Sequence, residues 1–206
     1  MNDLSLENLK NLYSKKRFSV PEVAKLLHCS EHKVNYWLQK YLIPKRTISE
    51  AIYVKHNPKG DPFKIKYKLN KKEIWLKGLG LGIYWGEGNK RSKVSVRLGN
   101  ADPKLIKIFH EFLVKICGVN EEKIKYNLLL FNDADRHGAI NFWNRELGYS
   151  HNRISSVTSL KSRGRGTYNT KSMTGVLSIE FNNTKLKKEM DKMMEALHNR
   201  QDSSVG

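Results

Sequence analysis

The sequence predicts an α+β protein in which an all-α unit precedes a unit that combines helices with strands. Apolar residues recur at helical spacing over residues 6–41, without a strand-like alternation. Beyond residue 93, alternating segments such as KVSVRLGN and GVLSIEFNN are separated by amphipathic helical segments. The 206 residues suffice for two small domains. We expect a first domain at 1–44, a basic linker at 45–70, a second domain at 71–198 and a flexible tail at 199–206.

The charge of the chain indicates a polyanionic partner. The formal net charge is +18, with 38 Lys and Arg residues against 20 Asp and Glu residues. Residues 1–72 carry 16 of these cations and 6 of the acids, and residues 73–206 carry 22 and 14, so both halves are basic. This distribution favours nucleic acid as the partner of both units. The alternative is a basic surface that only keeps the protein in solution.

Composition also excludes several classes of protein. The sequence has no run of about 18 apolar residues, so we expect no membrane-spanning helix and no membrane partner. The N-terminal stretch MNDLSLENLKNLYSKK lacks the apolar centre of a signal peptide. Cys29 and Cys117 are the only cysteines, which excludes a disulfide framework and a cysteine-based zinc site. We therefore expect a cytoplasmic protein.

Three short helices are predicted within residues 1–44. The first covers SLENLKNLYSKK, whose leucines recur at helical spacing. The second begins at Ser19, which has capping-box spacing to Glu22. HCS then forms a turn, and Ser30 caps a third helix, EHKVNYWLQKY. This order is that of a DNA-reading helix-turn-helix, although His28 stands where a glycine is usual.

The outer side of the third helix carries side chains suited to DNA. Its buried stripe consists of Val34, Trp37, Leu38 and Tyr41. The opposite side presents the predicted DNA contacts Lys33, Asn35, Tyr36, Gln39 and Lys40. In the basic linker, Arg46 is a further candidate for phosphate contact, and a short helix is expected at residues 49–55. For residues 1–44, the alternative is an ordinary three-helix packing unit without a role in DNA binding. For residues 45–70, the alternative is a linker whose basic side chains are only solvated.

The stretch GLGLGIYWGEG, residues 78–88, holds five glycines and one acid. A phosphate-binding loop would need a preceding strand and a following Lys-Ser or Lys-Thr pair, and both are missing. Asn70 and Glu73 instead have capping-box spacing, so we expect a central, buried helix that begins near residue 71 and runs through the glycines. Gly78, Gly82 and Gly86 share one side of it. Each costs about 1 kcal/mol in a helix interior, and close packing of a second helix would offset that cost.

Glu87 is expected at the C-terminal end of this helix, where the helix dipole disfavours a carboxylate. If the three glycines pack on a symmetry-related copy, the two Glu87 side chains approach each other across the axis. Two crowded carboxylates favour a divalent cation or a shared proton. A nuclease built on paired helices could hold a metal at the scissile phosphates in this way.

At this helix the sequence resembles a known family. GLGIYWGEG, residues 80–88, is similar to the LAGLIDADG motif of homing endonucleases, and the similarity extends over roughly residues 73–197. Gly82 matches the packing glycine of the motif, Glu87 its metal-binding acid and Gly88 its closing glycine. Trp85 replaces an aspartate that is not a metal ligand in the family, and Gly86 replaces an alanine. The resemblance implies an α/β half-saddle, with helices on one face of an antiparallel sheet that lies in the DNA major groove.

The elements after the motif supply a polar, basic face. We expect strands at KVSVRLGN, EKIKYNLLLF, ISSVTSLK and GVLSIEFNN, and helices at ADPKLIKIFHEFLVKICG, DADRHGAINFWNREL and TKLKKEMDKMMEAL. In the first strand, Val94, Val96 and Leu98 are predicted to point inward, and Ser95 and Arg97 outward. The face left open carries the predicted DNA contacts Arg91, Lys93, Arg97, Lys125 and Asn127.

Two further segments have competing interpretations. KSRGRGTYNTKSMT, residues 161–174, holds four cations and no acid. We predict that its Arg163, Arg165 and Lys171 clamp phosphates, and the alternative is a solvated loop. Asp133, Asp135 and His137 could suggest a metal site, but an acid at the start of a helix is more often a cap.

Two functions remain open. The family resemblance implies a homodimer, because members with a single motif resemble half of a saddle. A Mg²⁺- or Mn²⁺-dependent endonuclease would use Glu87 of each subunit as metal ligand, with Lys90 or Lys93 stabilising the developing charge. A non-catalytic regulator would use the same fold as a platform, as in a bacterial branch of the family that adds a helix-turn-helix and does not cut. The acid at Glu87 favours the nuclease, and the helix-turn-helix favours the regulator.

Overall fold

The computed structural model describes residues 3–149, 151–161 and 173–202. The chain divides into two compact units, Met1–Asp61 and Pro62–Gly206. The first unit is helical, and the second combines helices with a four-stranded sheet. The predicted α+β class, with the all-α unit first, is therefore confirmed.

The first unit contains four α-helices whose starts are set by local caps. They are α1 (Leu6–Leu9, continued by a π-helical segment Lys10–Lys15), α2 (Val20–Leu26), α3 (Glu31–Lys40) and α4 (Ile48–His56). Ser19 and Glu22 form the predicted capping box, and Ser30 accepts a hydrogen bond from the Lys33 amide. Thr47 and Glu50 form a second capping box at the start of α4. These caps explain why helices begin where the spacing predicts.

The turn between α2 and α3 uses a left-handed residue that is not glycine. His28 has a φ of +48°, a backbone conformation that glycine adopts most easily. The next residue, Cys29, donates its amide to the Ala24 carbonyl at 3.0 Å and so closes the turn on α2. Below the turn, Leu9, Val23 and Val34 are completely buried in the core of this unit. The missing glycine therefore does not prevent the backbone of the expected turn.

The second unit is organised around one long helix and a sheet. Its elements are α5 (Lys71–Glu87), β1 (Ser95–Asn100), α6 (Pro103–Lys115), a 3₁₀ turn (Glu121–Lys123), β2 (Lys125–Phe131), α7 (Arg136–Leu147), β3 (Ile154–Leu160), β4 (Val176–Asn182) and α8 (Thr184–Asp202). Asn70 and Glu73 form the predicted capping box of α5. The helix runs without interruption through the glycine stretch, which excludes a phosphate loop there.

The sheet has the strand order β1-β4-β2-β3. β4 pairs antiparallel with β1 and with β2, but β2 and β3 run parallel. The prediction of an antiparallel sheet is therefore wrong for this pair. The cause is α7, which lies between β2 and β3 in the chain. This helix returns the chain to the end of the sheet at which β2 begins, as a connection between parallel strands requires.

The core of this unit lies on one face of the sheet. Its strand residues are Val96, Leu98, Tyr126, Leu128, Leu130, Leu177, Ile179 and Phe181, and they pack with apolar residues of α5, α6, α7 and α8. Val94, predicted inward, is instead 56% exposed, whereas Ser95, predicted outward, is buried. The strand begins only at Ser95, and the hydroxyl of Ser95 lies 2.8 Å from that of Ser92, which satisfies it locally.

The segment predicted as a basic linker, residues 45–70, is shared between the two units. Its first part forms α4 in the first unit. Its last part, residues 62–70, packs on the second unit, with Phe63, Ile65 and Leu69 against the core. The Lys66 amide donates to the Ile116 carbonyl at 2.8 Å, and the Asn120 amide donates to the Pro62 carbonyl at 2.9 Å. At the other end, α8 continues to Asp202, into the segment predicted as a tail.

Candidate nucleic-acid interface

One side of α5 is open and apolar. Within the part of the chain that the structure describes, a Cβ added at Gly78, Gly82 or Gly86 would meet no neighbouring atom within 4 Å. On the same side of the helix, Ile74, Trp75 and Trp85 have 59%, 66% and 44% of their surface exposed. We call these six residues the glycine face. Exposed tryptophans beside three glycines are an unusual surface for a helix, because large apolar side chains are normally covered.

The opposite side of α5 shows why the helix also contains Gly80. A Cβ at Gly80 would lie 2.6 Å from the Cβ of Phe112, so α6 can approach α5 only because this residue has no side chain. Leu76, Gly80 and Tyr84, spaced four residues apart, are all buried there. The helix therefore has two glycine sides, one filled by α6 and one open. Sequence reasoning missed the side that packs against α6, although the spacing of Leu76, Gly80 and Tyr84 could have indicated it.

Glu87 is the last residue of α5, and its side chain is exposed. The following residue, Gly88, donates its amide to the Tyr84 carbonyl at 2.9 Å, and a Cβ there would lie 2.6 Å from Cε2 of Tyr84. Gly88 also forms an isolated antiparallel β-bridge with Leu98, and the Asn89 amide donates to the Arg97 carbonyl at 2.8 Å. These contacts attach the end of α5 to β1, so that Glu87 has a fixed backbone position beside the sheet.

The basic residues after Glu87 fall into two groups. The ammonium of Lys90 donates to the Trp85 carbonyl, so Lys90 caps the negative end of the helix dipole. Arg91 and Lys93 have exposed side chains in the turn before β1. The hydroxyl of Tyr84 donates to the Asn89 carbonyl at 3.2 Å and supports this turn from below. Of the two lysines predicted to act in catalysis, Lys93 is thus the one whose charge points to solvent rather than to the helix end.

A single chain supplies one carboxylate to the predicted metal site. Among residues 3–149, 151–161 and 173–202, no group of three or more His, Cys, Asp or Glu side chains is placed to hold a metal ion. Asp135 caps α7, with Oδ1 accepting from the His137 amide at 3.0 Å, as the cap interpretation predicts. Mg²⁺ in nucleases is commonly held by one or two carboxylates together with substrate phosphates. Glu87 fits such a metal only when a second copy and DNA supply the other ligands.

The open face of the sheet presents a row of three charged residues. In the register of the sheet, Glu180 of β4 lies between Arg97 of β1 and Lys125 of β2. Asn127 of β2 donates from Nδ2 to Oε2 of Glu180 at 3.3 Å, and its Oδ1 accepts from the Ser156 hydroxyl at 2.7 Å. The predicted contacts Arg97, Lys125 and Asn127 therefore share one surface. Sequence reasoning missed Glu180, although it occupies an outward position in GVLSIEFNN.

In the first unit, the five side chains predicted to contact DNA lie on the outer side of α3, as the helical spacing predicts. Lys33, Gln39 and Lys40 are exposed, Tyr36 is 56% exposed, and Asn35 is half-buried. The Lys40 ammonium lies 4.4 Å from the ring centroid of Trp37, which restrains its position by a cation–π contact. The structure thus brings these five residues together on one helix surface.

Arg46 has a different place from the one expected. Its guanidinium donates to the carbonyls of Phe18, at 3.0 Å, and Tyr13, and it lies 4.2 Å from the ring centroid of Tyr13. These contacts join the connection between α3 and α4 to the π-helical segment and to the residues that follow it, so the guanidinium already has partners within the first unit. Arg46 is therefore not part of the candidate nucleic-acid surface. Arg163, Arg165 and Lys171 lie outside the described residues.

A separate polar cluster lies on the side of the sheet that packs against the helices. The hydroxyls of Tyr126 and Tyr149 are 2.9 Å apart, and Tyr149 donates to Oε1 of Glu121 at 3.3 Å. His110 of α6 packs beside both rings, with Nε2 3.4 Å from the same Glu121 oxygen but without hydrogen-bond geometry. Burial lowers the pKa of His110, and the nearby Arg153 lowers it further, against the opposing effect of Glu121. Burial also raises the pKa of Tyr126.

Comparison with known proteins identifies no family for this chain. No helix in the described part of the chain is long and apolar enough to cross a membrane. No family model, no curated protein and no solved structure matches the chain.

Proposed function

We propose that this chain is a sequence-specific double-stranded DNA-binding protein that acts as a homodimer and cleaves its site as a Mg²⁺-dependent endonuclease of the homing type. The observation that carries the proposal is the glycine face of α5 with Glu87 at its end. The face offers an open backbone at Gly78, Gly82 and Gly86 beside exposed Trp75 and Trp85. A second copy of the same helix is the occupant that uses all these features, because it brings glycine against glycine and Glu87 near Glu87.

The charge supports DNA as the substrate. The net charge of +18 is divided between both units, and each unit presents a polar surface with cations at outward positions. In the second unit that surface is the open face of the sheet, which includes Arg97 and Lys125 and lies beside the turn that carries Lys93. A protein that neutralises many phosphates binds DNA tightly and in a salt-dependent way. The cytoplasmic location expected from composition is part of this proposal and agrees with a DNA target in the cell.

The residues of this chain have separate tasks in the proposed reaction. Glu87 of each subunit would hold the metal, which when bound activates water and stabilises the leaving oxygen of the phosphodiester. Lys93, exposed in the turn after Glu87, would stabilise charge that develops on the phosphate. Lys90 holds the end of α5 through the Trp85 carbonyl and so positions Glu87. Gly88, where a side chain would overlap Tyr84, fixes the backbone at the same point.

A second candidate function is a non-catalytic DNA-binding regulator on the same fold. The observation that favours it is the first unit, in which α2, a left-handed turn at His28 and α3 present Lys33, Gln39 and Lys40 outward. A reader of this kind would supply recognition without cleavage. The single carboxylate per chain at the proposed metal site is compatible with either function.

A cleavage assay separates the two functions. Wild-type protein, incubated with a bound duplex in Mg²⁺ or Mn²⁺, should nick or cut it, and Glu87→Gln should abolish cleavage with DNA affinity kept. Glu122→Gln removes the same charge from an exposed residue of the 3₁₀ turn and should cut like wild type. If wild type binds a defined site tightly and cuts it with neither metal, the regulator is the correct function.

A further inference from the structure

We propose that Glu180 selects a cytosine in the DNA target, as a base-reading acceptor on the open face of the sheet, and this inference rests on the proposed function in DNA binding. Glu180 lies on β4, an inner strand, and faces away from the helices. The residues before and after it along β4, Ile179 and Phe181, are buried on the helix side of the sheet. The carboxylate is therefore placed on the surface that is proposed to meet DNA.

A carboxylate at this place cannot serve phosphate binding. It lies between Arg97 and Lys125 in the register, on the face of a strongly basic protein, and would repel a phosphate that either cation attracts. Within the described residues, the hydrogen bond of Glu180 goes to the amide of Asn127. The edges of bases, in contrast, present amino groups that a carboxylate can accept. The position of Glu180 thus favours base contact over backbone contact.

The neighbouring side chains hold this acceptor in a defined orientation. The Ser156 hydroxyl donates to Oδ1 of Asn127 at 2.7 Å, and Nδ2 of Asn127 donates to Oε2 of Glu180 at 3.3 Å. Among the described residues, Asn127 thereby occupies Oε2 of the carboxylate, and Oε1 is left to accept from a ligand. Arg97 donates to the Ser178 hydroxyl at 3.4 Å, one position along the sheet. The face carries a network that orders its polar groups before DNA arrives.

The chemistry of the major groove makes cytosine the preferred partner. Cytosine presents only the N4 amino donor, whereas guanine and thymine present acceptors that repel a carboxylate. Adenine adds the N7 acceptor beside its amino donor, so it satisfies a carboxylate less well. Arg97 lies opposite Glu180 on the adjacent strand and can donate to O6 and N7 of the guanine paired with that cytosine. One pair of cross-strand neighbours can therefore read one C·G base pair.

Selection from a randomised duplex pool tests this inference without any cleavage. Wild type, Glu180→Gln and Glu122→Gln would each be used to select bound duplexes in the presence of a chelator, followed by sequencing. Wild type should select cytosine at one position of each half-site. Glu180→Gln should lose that preference and move toward adenine, because glutamine pairs with N6 and N7 of adenine. For the wild-type site, the Glu180→Gln variant should bind about 5- to 150-fold more weakly.

The control and the alternatives give distinct results. Glu122→Gln makes the same change of charge away from the sheet face and should select the wild-type site. If Glu180 only balances the charges of Arg97 and Lys125, Glu180→Gln will change affinity for all sequences alike and leave the selected site unaltered, which overturns the inference. Selection of no sequence by wild type, despite tight binding of duplex, also overturns it. Absence of any duplex binding by wild type would instead refute the proposed function itself.

Discussion

Gly80 of α5 lies against the side chain of Phe112 of α6, so closely that an added Cβ would come within 2.6 Å of the Phe112 Cβ. Two residues further along the same helix, an added Cβ at Gly82 would meet no atom of the described residues within 4 Å. The same substitution at these two positions should therefore have opposite consequences for the folded chain. The difference separates the glycine that the fold itself needs from those that face outward.

Replacement of Gly80 by alanine should destabilise the second unit by about 1–3 kcal/mol, since the core must shift to admit a methyl group. Gly82→Ala should stabilise the dilute protein by up to about 1 kcal/mol, through helix propensity alone. Urea unfolding of both variants, at a protein concentration low enough to exclude association, measures the two effects. Equal destabilisation by both substitutions would show that the outer glycines also contact their own chain.

Gly82→Leu should prevent homodimer formation without unfolding the protein. The monomer has room for the side chain at this place, whereas a second helix packed on the glycine face has none. Light scattering at micromolar concentration, with and without duplex DNA, would give the mass, and circular dichroism would confirm the fold. Lys107→Leu adds the same side chain at an exposed position of α6 and should remain dimeric. A monomeric wild type under both conditions would contradict the dimer.

DNA binding should weaken steeply with salt. If the basic surfaces of both units contact phosphates, the affinity for duplex DNA should fall by roughly 10³-fold or more between about 50 and 200 mM salt. Filter binding over that range measures the slope of the logarithm of the affinity against the logarithm of salt concentration. A flat response would refute DNA as the partner, whatever the net charge of the chain.

Arg46 and Lys45 should differ although they are adjacent cations. Arg46→Ala removes hydrogen bonds to the Phe18 and Tyr13 carbonyls and a cation–π contact, and should cost the first unit about 2–4 kcal/mol. Lys45 is exposed, so Lys45→Ala should change stability by less than about 0.5 kcal/mol. Hydrogen exchange of peptides from α2 and α3 reports on this unit alone. Similar protection in both variants would show that the Arg46 contacts do not hold the unit together.

The stability of the second unit should decrease on acidification because of His110. Burial lowers the pKa of this side chain from its ordinary value of 6.5, so the folded state binds the proton less tightly than the unfolded state. The contribution of the neutral His110 to the free energy of unfolding is therefore fully present above pH 6.5. It is lost as the pH falls from 6.5 through the lowered pKa of the folded state. Glu121, Glu111 and Arg153 are the charged groups that act on His110. Thermal unfolding between about pH 5 and 8 measures the effect.

The variant His110→Gln should reduce this pH dependence. Its glutamine keeps a polar group beside Tyr126 and Tyr149 but does not titrate in the same range. His137→Gln changes an exposed histidine at the start of α7 and should keep the wild-type profile. An unchanged profile in His110→Gln would assign the acid sensitivity to other groups.

Features that depend on neighbours in the chain could be predicted from sequence. The caps at Ser19, Ser30 and Asn70 lie three residues from their partners, so the spacing alone indicates where the helices begin. The long helix through the glycines follows from the same local argument, and so does the cap at Asp135. Such signals are complete within one helical turn and need no knowledge of the fold.

Features that depend on distant contacts could not be predicted in this way. The guanidinium of Arg46 binds carbonyls 28 and 33 residues away, so its sequence context shows only a basic linker. The parallel pairing of β2 with β3 is decided by where α7 returns the chain, which strand patterns do not encode. The outward position of Glu180 could have been predicted, since it alternates with the buried Ile179 and Phe181, but a surface that binds phosphates gives no reason to expect an acid there.

The segment from Pro62 to Asn70 has a consequence for how this protein can be divided. Phe63, Ile65 and Leu69 complete the core of the second unit, and the backbone of the segment bonds to residues 116–120. A truncation that began at the first turn of α5 would uncover part of that core and leave the carbonyl of Ile116 without its donor. The smallest portion that can be exchanged as a module with other proteins therefore begins at Pro62, immediately after the last residue of the first unit. Recombination or engineering that respects this junction preserves both cores.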